Sequence, residues 1–478
     1  MSPDIDRFLK DYVAALHDGD AALFVGAGLS RPSGFVDWKE LLRDCAKELG
    51  LDVKREQDLV AVAQYHLNSR NRDRSRLNQI LTNEFGKPGL ITDNHKTIAR
   101  LPIKTVWTTN FDTLLERAYD DDDVTVDVKP TDKSIARTKR GRDVVLYKMH
   151  GDIATPEEVI ICKDDYERYA REHTIFQQVL ESDLVSKTFL FLGFSFTDPN
   201  LNYMLGHLRS LLQDSKREHF AVMRRVNSAD FTGKNKRKEF LYEQNRQGHQ
   251  VKDLLRYSIQ TLLIDKYSEI TEILKKIERC NNYRNVFVSG SASDFGSFGQ
   301  ERMQDLSREL GFRLIKESYN LVSGFGLGIG SAVIMGALEK LYTAKRPSVE
   351  KRLTLRPFPQ KQLTGKAKKD FNRKYREDML ERCGFALFIA GNKQNKIAPG
   401  VLEEFEIAKS MGRTVIPLGA TGFAAEKIWQ ELSSEIKQHY SGSVSKKVFA
   451  RLNDRSLSNT EILSAAVEIM KSVEQVQG

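Results

Sequence analysis

The sequence predicts an α/β protein with two Rossmann-like domains, each built on a parallel β-sheet. Short apolar runs, such as AALFV at 21–25 and FALFIA at 385–390, recur along the chain. These runs end in small or polar residues, and helical patterns fill the intervals between them, which is typical of a doubly wound sheet. The alternation pauses near residue 280 and then restarts, so we place the domains at 1–280 and 283–478.

The composition is that of a globular protein. Of the 478 residues, 40% are hydrophobic and 29% are charged. No stretch reaches the ~18 consecutive apolar residues that a membrane-spanning helix needs. The N-terminal segment also lacks the basic stretch followed by an apolar stretch that marks a secretory signal. We therefore expect a cytoplasmic protein without a membrane partner.

Cysteine spacing and net charge limit the kinds of metal site, disulfide and binding partner that the chain can have. The four cysteines, Cys45, Cys162, Cys280 and Cys383, are far apart and form no CxxC pair. This spacing excludes a cysteine-ligated zinc ribbon and argues against a disulfide framework. The net charge of +9 is compatible with nucleic acid or with a small phosphorylated ligand. Nucleic acid is the less favoured partner, because the chain shows no recognition-helix motif and no stacking aromatics interleaved with its basic residues.

The first predicted element is an amphipathic helix over residues 4–18. Its apolar side chains recur at the three- and four-residue spacing of one helix face: Ile5, Phe8, Leu9, Tyr12, Val13 and Leu16. N-terminal segments are usually poorly ordered unless they pack against something, so this apolar face needs a partner surface. Two interpretations of that partner remain open. The helix either docks on its own domain or forms a contact between copies of the chain.

Four apolar strands of the first domain end in small or polar residues. They begin the segments 21–30, 104–112, 143–152 and 187–200. The other elements predicted for this domain are strands at 219–223 and 258–265 and helices at 37–50 and 268–280. In a doubly wound sheet the ligand lies beyond the carboxyl ends of the strands, so the four polar ends mark the expected site.

The second domain repeats this organisation. Its predicted strands lie at 285–292, at the start of 320–339, and at 352–359, 385–392 and 414–422. A glycine-rich loop and a helix follow the strand that begins at residue 320. This second parallel sheet therefore also has a loop suited to a ligand.

The strand ends of the first domain carry the first set of candidate site residues. They are Gly26, Ala27, Gly28 and Ser30 after the first strand, Asn110 and Asp112 after the second, His150 after the third, and Gly193, Ser195 and Asp198 after the fourth. Glycines at such a turn let the backbone approach a pyrophosphate, and a helix N-terminus supplies free N–H groups. Each group taken alone is also explained by a tight turn or a helix cap.

Taken together, GAGLS, TTNFD, MHGD and GFSFTDPN resemble, in this order, the NAD-binding and catalytic motifs of the sirtuin family in its bacterial defence branch. The resemblance covers about residues 10–270. It implies that Asn110 orients water or the ribose, that His150 acts as general base, and that Asp112 holds the nicotinamide end or its loop. It also implies an NAD-binding set. Its members are Gly26, Ala27, Gly28 and Ser30 toward the phosphates, Ser195 toward the adenosine ribose, and Gly193 and Asp198 beside them.

Two departures from deacylating sirtuins change the expected reaction. The four-cysteine zinc module that follows their catalytic histidine is absent, and only Cys162 follows His150 here. The usual arginine-bearing run after the GAG motif is replaced by RPSGFVDWKELL. Without an acyl-lysine groove, water becomes the acceptor, so we expect NAD as the substrate, nicotinamide and ADP-ribose as products, and no metal. A protein deacylase is kept as an alternative.

The second domain carries a different candidate site. Ser289 and Gly290 follow its first strand, and Gly324, Gly326 and Gly328 form a GxGxGxG run at a strand–helix junction. Such a run suits a phosphate or nucleotide cradle, although close backbone packing also explains it.

Charged residues near this loop are candidates for contact with a ligand. The basic run over 351–382 is mostly explained by a solvated face, but Arg376 and Lys393 suit phosphates. Glu404 at a helix start suits either a ribose hydroxyl or the helix dipole.

Residues 283–478 resemble the SLOG family, nucleotide-sensing relatives of the lysine-decarboxylase-like phosphoribohydrolases. The enzymatic members carry a PGGxGTxxE run, whereas this chain reads APGVLEEFE, which favours a binding module. The resemblance implies that Ser289, Arg376, Lys393 and Glu404 bind a nucleotide signal.

A sirtuin-like half joined to a SLOG half resembles the NAD-hydrolysing effectors of the Thoeris antiphage defence system. This implies that a partner with a TIR domain makes a cyclic ADP-ribose isomer, that the isomer binds the SLOG domain, and that the other domain then depletes cellular NAD. It also implies a homotetramer formed through the sirtuin-like domains. A non-catalytic nucleotide sensor or adaptor is the second alternative.

Overall fold

The computed structural model describes residues 5–196, 198–212, 217–345, 348–358, 364–394 and 396–477. The chain divides into two compact units, residues 1–278 and 279–478. Each unit is built on its own parallel sheet, so the predicted α/β class with two Rossmann-like sheets is confirmed.

The first unit has a seven-stranded sheet whose paired strands all run parallel. Its strands are β1 (Ala21–Val25), β2 (Thr105–Thr108), β3 (Val126–Lys129), β4 (Val144–Lys148), β5 (Thr188–Leu192), β6 (His219–Arg224) and β7 (Ile259–Ile264). Their order across the sheet is β3-β4-β2-β1-β5-β6-β7. All five residues of β1 and all five of β5 are buried, which explains their continuous apolar sequences. The order reverses beside β1, the kind of position where such sheets bind ligands.

Helices cover this sheet. They are α1 (Ile5–Asp18), α2 (Ala27–Ser30), α3 (Trp38–Leu41), α4 (Arg43–Glu48), α5 (Leu59–Ser69), α6 (Ser75–Phe85), α7 (Asp93–Arg100), α8 (Leu114–Asp121), α9 (Asp132–Ile135), α10 (Lys163–Glu172), α11 (Thr174–Ser186), α12 (Pro199–Leu212), α13 (Lys236–Leu255) and α14 (Ser268–Asn282).

Helix α1 docks on its own sheet through its apolar face. Phe8 packs edge-to-face on Phe220 of β6 with ring centroids 5.0 Å apart, and the Tyr12 hydroxyl donates a 2.9 Å hydrogen bond to the carbonyl of Ala22 in β1. Both aromatic side chains are fully buried. The first interpretation of this helix is therefore the one observed, and its apolar face is covered within the unit.

The second unit has a five-stranded parallel sheet and a short hairpin. The sheet strands are β8 (Asn285–Ser291), β9 (Asn320–Ser323), β10 (Leu353–Leu355), β11 (Phe385–Ala390) and β14 (Thr414–Leu418), in the order β10-β9-β8-β11-β14. The hairpin joins β12 (Asn392–Lys393) and β13 (Lys396–Ile397) in antiparallel pairing. The helices of this unit are α15 (Gln300–Lys316), α16 (Gly330–Leu341), α17 (Val349–Arg352), α18 (Gly365–Glu381), α19 (Pro399–Ser410), α20 (Phe423–Ser433), α21 (Ile436–His439), α22 (Lys446–Arg451) and α23 (Asn459–Gln477).

Some predicted elements differ from the observed ones. The single helix predicted over 37–50 is wrong, because Leu42, with ψ near 4°, separates α3 from α4. The strand predicted over 352–359 is confined to β10; Pro357 has no N–H for a ladder, and Pro359 lies outside the described residues. Strand β3 and the β12–β13 hairpin were not predicted, since β3 is a four-residue edge strand and each hairpin strand has two residues.

Within the residues that the structure describes, no helix is both long and apolar enough to cross a membrane. The same residues contain no cluster of three or more His, Cys, Asp or Glu side chains placed to hold a metal ion.

Candidate active site and candidate signal site

The four candidate strand ends of the first unit are contiguous in space. They follow β4, β2, β1 and β5, which are neighbours in that order in the sheet. Parallel strands place their carboxyl ends at one edge, so residues that are far apart in sequence meet there.

The turn after β1 packs directly on the turn after β5. The Gly26 N–H donates to the Leu192 carbonyl and the Gly28 N–H to the Gly193 carbonyl, both at 2.9 Å. A Cβ on Gly28 would lie 2.9 Å from Gly193 Cα, and a Cβ on Gly193, whose φ is +63°, would collide with the Leu29 nitrogen. Close packing therefore requires these glycines; their contact with phosphates stays a prediction.

Asn110 is held at this edge by three hydrogen bonds. Its Nδ2 donates to Ser30 Oγ at 2.9 Å and to the Gly26 carbonyl at 3.2 Å, while its backbone N–H donates to Thr108 Oγ1 at 3.0 Å. Its Oδ1 is buried and has no hydrogen-bond partner among the described residues. Since buried polar atoms are rarely left unpaired, this oxygen is a natural acceptor for a ligand or a water.

Of the two carboxylate oxygens of Asp112, one has a hydrogen-bond partner among the described residues. Its Oδ1 accepts a 3.0 Å hydrogen bond from the Leu114 N–H at the start of α8. Its Oδ2 is buried without a partner in the described structure. One oxygen therefore fixes the loop and the other is an unpaired acceptor, while the contact of Asp112 with the nicotinamide end stays a prediction.

The fully buried Lys148, which sequence reasoning missed, ties the Asn110–Asp112 loop to the loop after β4. Its Nζ lies 2.7 Å from the Asp112 carbonyl, 2.9 Å from Glu116 Oε1 and 2.6 Å from Asp152 Oδ2. Burial alone would lower the pKa of Lys148, but the two carboxylates raise it. The sequence signal for Lys148 was its position at the end of a predicted apolar strand. A lysine that is buried there needs carboxylate or carbonyl partners.

His150 lies beside Asp198. Its Nε2 is 3.1 Å from Asp198 Oδ2, an ion-pair distance, but neither ring nitrogen meets hydrogen-bond geometry with a partner among the described residues. Asp198 also accepts hydrogen bonds from the Leu201 N–H at 2.9 Å and the Tyr166 hydroxyl at 3.3 Å. Burial would raise the pKa of Asp198, but His150 and these two donors lower it below its usual value. Asp198, predicted to contact NAD, thus contacts the candidate base.

An aromatic pocket adjoins Asn110 and Asp112. Ala27, Ser30, Asn110 and Asp112 line it together with Phe35, Trp38, Phe85 and Phe111. Phe85 packs against both Phe35 and Phe111, with ring centroids 5.5 and 5.4 Å apart. Flat apolar walls with a few polar atoms suit a planar aromatic ligand. Trp38 and Phe85 were missed because they fall in stretches predicted to be helical, and Phe35 was missed because no motif singled it out.

Ser195 lies in the turn after β5. Its carbonyl accepts a 3.1 Å hydrogen bond from Gln250 Nε2 of α13. The turn is thus linked to a helix from a later part of the chain, and the predicted contact of Ser195 with the adenosine ribose stays a prediction.

The second unit brings together Ser289, Arg376 and Glu404. Ser289 Oγ donates a 2.5 Å hydrogen bond to Glu404 Oε2, and Arg376 Nε donates to Glu404 Oε1 at 3.3 Å. All three residues are buried, although two of them are charged. Burial raises the pKa of Glu404, against the opposing effects of Ser289 and Arg376. Buried charges need such partners, and together these groups form a polar site within an apolar fold.

The glycine-rich loop lies against the end of β8. A Cβ on Gly326 would collide with the Gly290 carbonyl, and one on Gly328 with the Ala292 carbonyl. A Cβ on Gly324 would make only ordinary contacts, the nearest at 3.5 Å to Phe358. Close packing therefore accounts for Gly326 and Gly328, and the proposed cradle stays a prediction.

Lys393 is exposed on the β12–β13 hairpin, next to the buried Asn392. Asn392 Oδ1 accepts hydrogen bonds from the N–H groups of Ser293 at 2.9 Å and Asp294 at 3.1 Å. Asn392 therefore fixes this hairpin to the loop after β8. The sequence did not single it out.

Comparisons with known proteins agree with this two-unit organisation. A family model described as a SIR2-like domain matches residues 104–248. A second, described as the Sir2- and TIR-associating SLOG family, matches residues 269–473.

Three similar curated proteins bear the name NAD(+) hydrolase ThsA. That of Bacillus cereus (strain MSX-D12) is 42% identical over 477 residues, covering 98% of this chain and 99% of the relative. That of Acinetobacter baumannii (strain 532279) is 41% identical, covering 98% of each chain. That of Cytobacillus dafuensis is 39% identical, covering 99% of this chain and 97% of the relative.

The fold and these matches define a protein that joins a SIR2-like domain to a SLOG domain. With relatives of this identity along nearly its full length, the chain belongs to the ThsA family.

Proposed function

We propose that the chain hydrolyses NAD to nicotinamide and ADP-ribose at the strand ends of its first unit. The observation that carries this is a pair of unpaired buried oxygens on residues that line the aromatic pocket, Asn110 Oδ1 and Asp112 Oδ2. These atoms offer acceptors next to a slot for a planar ring. The names of the relatives, NAD(+) hydrolase, support the same reaction.

The chemistry follows from the bond that breaks. The C–N bond between ribose and the cationic nicotinamide ring cleaves, so the ring leaves as a neutral molecule and needs little help from an acid. Positive charge then develops on the ribose, where fixed amide and carboxylate oxygens stabilise it. Asn110 orients the attacking water or the ribose, and the pocket holds the nicotinamide end.

His150 accepts the proton that water loses as its oxygen bonds to the ribose carbon. The adjacent Asp198 carboxylate stabilises the imidazolium that forms, as a carboxylate does in a catalytic triad. The products are nicotinamide, ADP-ribose and one proton, which His150 takes from the water and then releases to solvent, so every atom of NAD and water is accounted for.

We further propose that a cyclic ADP-ribose isomer, made by a partner with a TIR domain, binds Ser289, Arg376, Lys393 and Glu404 and activates hydrolysis. Arg376 suits phosphates and Glu404 suits ribose hydroxyls. The match to a Sir2- and TIR-associating SLOG family supports such a partner. In the cell this regulation would confine NAD depletion to infection, in a cytoplasmic homotetramer. The signal must favour the active arrangement of the protein, since equal affinity for both arrangements would shift nothing.

The test measures nicotinamide release from NAD with and without a panel of cyclic ADP-ribose isomers. For wild type we expect one isomer to stimulate nicotinamide release. His150→Ala should release no nicotinamide, whether or not an isomer is present. Arg376→Ala should not be stimulated by any isomer. His249→Ala, an exposed histidine on α13, and Lys374→Ala, an exposed lysine on α18, are matched controls that should behave as wild type.

The alternatives give different results. Release only with an acylated peptide would identify a protein deacylase. Nucleotide binding without release under any condition would identify a sensor or adaptor. Equal release with and without every isomer would support the hydrolase and contradict its regulation.

A further inference from the structure

In the second unit, two carboxylates hold Arg376. Its Nη1 donates a 2.8 Å hydrogen bond to Glu403 Oε2, and its Nε lies 3.3 Å from Glu404 Oε1. The guanidinium also stacks over the ring of Phe358, 4.9 Å from its centroid. A Cβ on Gly400 would lie 2.6 Å from Nη2, so the absence of a side chain there makes room for the guanidinium.

The two carboxylates that hold Arg376 have different surroundings. Glu404 is buried and also bonded to Ser289, so it is a fixed part of the pocket. The Glu403 side chain is 36% exposed, and Arg376 is the one partner that the described residues give it. Glu403 is therefore able to leave Arg376 for water without stranding a buried charge, whereas Glu404 is not.

We propose that Glu403 competes with the phosphates of the signal for Arg376 and thereby raises the signal concentration at which the pocket fills. This inference rests on the proposed function, in which the signal is an ADP-ribose derivative that binds at Arg376. Arginine binds phosphate through the same kind of N–H group that it offers to a carboxylate, and the negative charges of phosphate and Glu403 repel each other, so a phosphate that takes the N–H now donated to Glu403 displaces that carboxylate. Each binding event then includes the loss of the Arg376–Glu403 pair.

The size of the effect follows from the exposure of the pair. Partly exposed ion pairs contribute modestly, so removing the competing carboxylate should tighten binding by about 3- to 10-fold. The opposite role is also defined: if Glu403 instead accepts a hydrogen bond from a ribose hydroxyl of the bound signal, its removal weakens binding. The two roles therefore predict opposite changes in the affinity for the signal when Glu403 is replaced.

The experiment measures the dissociation constants of the cyclic ADP-ribose isomers and of ADP-ribose by calorimetry on the full chain. Glu403→Gln is compared with wild type, with Arg376→Ala and with Glu406→Gln. Glu406 lies on the same helix, α19, and is exposed, so its variant removes the same charge outside the pocket. We expect binding to tighten about 3- to 10-fold in Glu403→Gln, to change less than 2-fold in Glu406→Gln, and to be lost in Arg376→Ala.

Damage to the fold weakens binding, so a gain in affinity is not explained by a merely structural effect. Binding by Glu403→Gln that is equal to or weaker than that of Glu406→Gln would overturn the proposal. If no isomer and no ADP-ribose binds to wild type, the proposed signal is wrong. Inorganic pyrophosphate then provides the test, since competition still predicts tighter pyrophosphate binding in Glu403→Gln, and equal binding overturns it.

Discussion

His150 is two residues beyond β4, and Asp198 follows β5, yet their side chains are 3.1 Å apart. The strand order explains this, because β2 and β1 are the two strands that separate β4 from β5. The histidine side chain is 2% exposed, and this carboxylate lies against it.

Asp198→Asn should therefore lower kcat for nicotinamide release by at least ~10-fold, because the imidazolium formed during reaction loses its counter-charge. Rates of single-turnover release check this, with binding of NAD measured separately. The variant should also lose part of its acid sensitivity. The lowered pKa of Asp198 in the folded state adds stability above the ordinary carboxyl pKa, and that stability is lost as pH falls through the lowered value. Unchanged kcat would contradict a role for this pair.

At the scale of elements, helix α23 carries an unusually placed carboxyl group. Burial raises the pKa of Glu474 to about 7, although its hydrogen bond with Tyr319 and the charge of Lys471 oppose the shift. The folded state thus favours the protonated form. Its contribution to stability is complete below the unfolded pKa and is lost as pH rises through about 7.

Glu474→Gln keeps an uncharged side chain of the same shape, so it should match wild type near pH 4 and be more stable at pH 8. We expect a gain of about 1–2 kcal/mol, after allowance for the partial exposure of the group. Urea unfolding of both proteins across this pH range measures it. Glu468→Gln on the same helix, where the carboxylate is exposed, should show no such gain. Parallel stability curves for Glu474→Gln and wild type would disprove the effect.

The helices and strands also show which parts of the fold could be predicted from the sequence. The strands β1, β5 and β11 were predictable, because a strand buried on both faces requires a continuous apolar run. The break at Leu42 and the short β3 depend on neighbours in the fold, so local sequence does not reveal them.

In the candidate active site, too, local sequence predicts some features, and others depend on tertiary packing. Asn110 and His150 were found because polar residues end apolar strands. The pairing of His150 with Asp198, the contacts of Lys148 and the ion pair of Glu403 with Arg376 were not predicted. Each joins residues from different elements, and their distances are set by tertiary packing.

At the scale of the whole molecule, the proposed regulation makes a reciprocal prediction. If the signal raises the affinity of the first unit for NAD, then NAD must raise the affinity for the signal by the same factor. His150→Ala, which should bind NAD without cleaving it, allows both affinities to be measured by calorimetry. Equal factors above 1 are expected. If neither affinity changes, the signal acts on the rate of cleavage instead of on binding.

The order of the site-bearing strands along the chain has a consequence for protein synthesis. The fourth strand end, with Gly193 and the carboxylate that partners His150, comes from β5, after all the others have been translated. A nascent chain or a fragment that stops before residue 188 has the GAG turn, Asn110 and His150, but the sheet edge that they need is incomplete. Under the proposed function, we therefore expect no hydrolysis of NAD by a nascent chain until β5 has been translated.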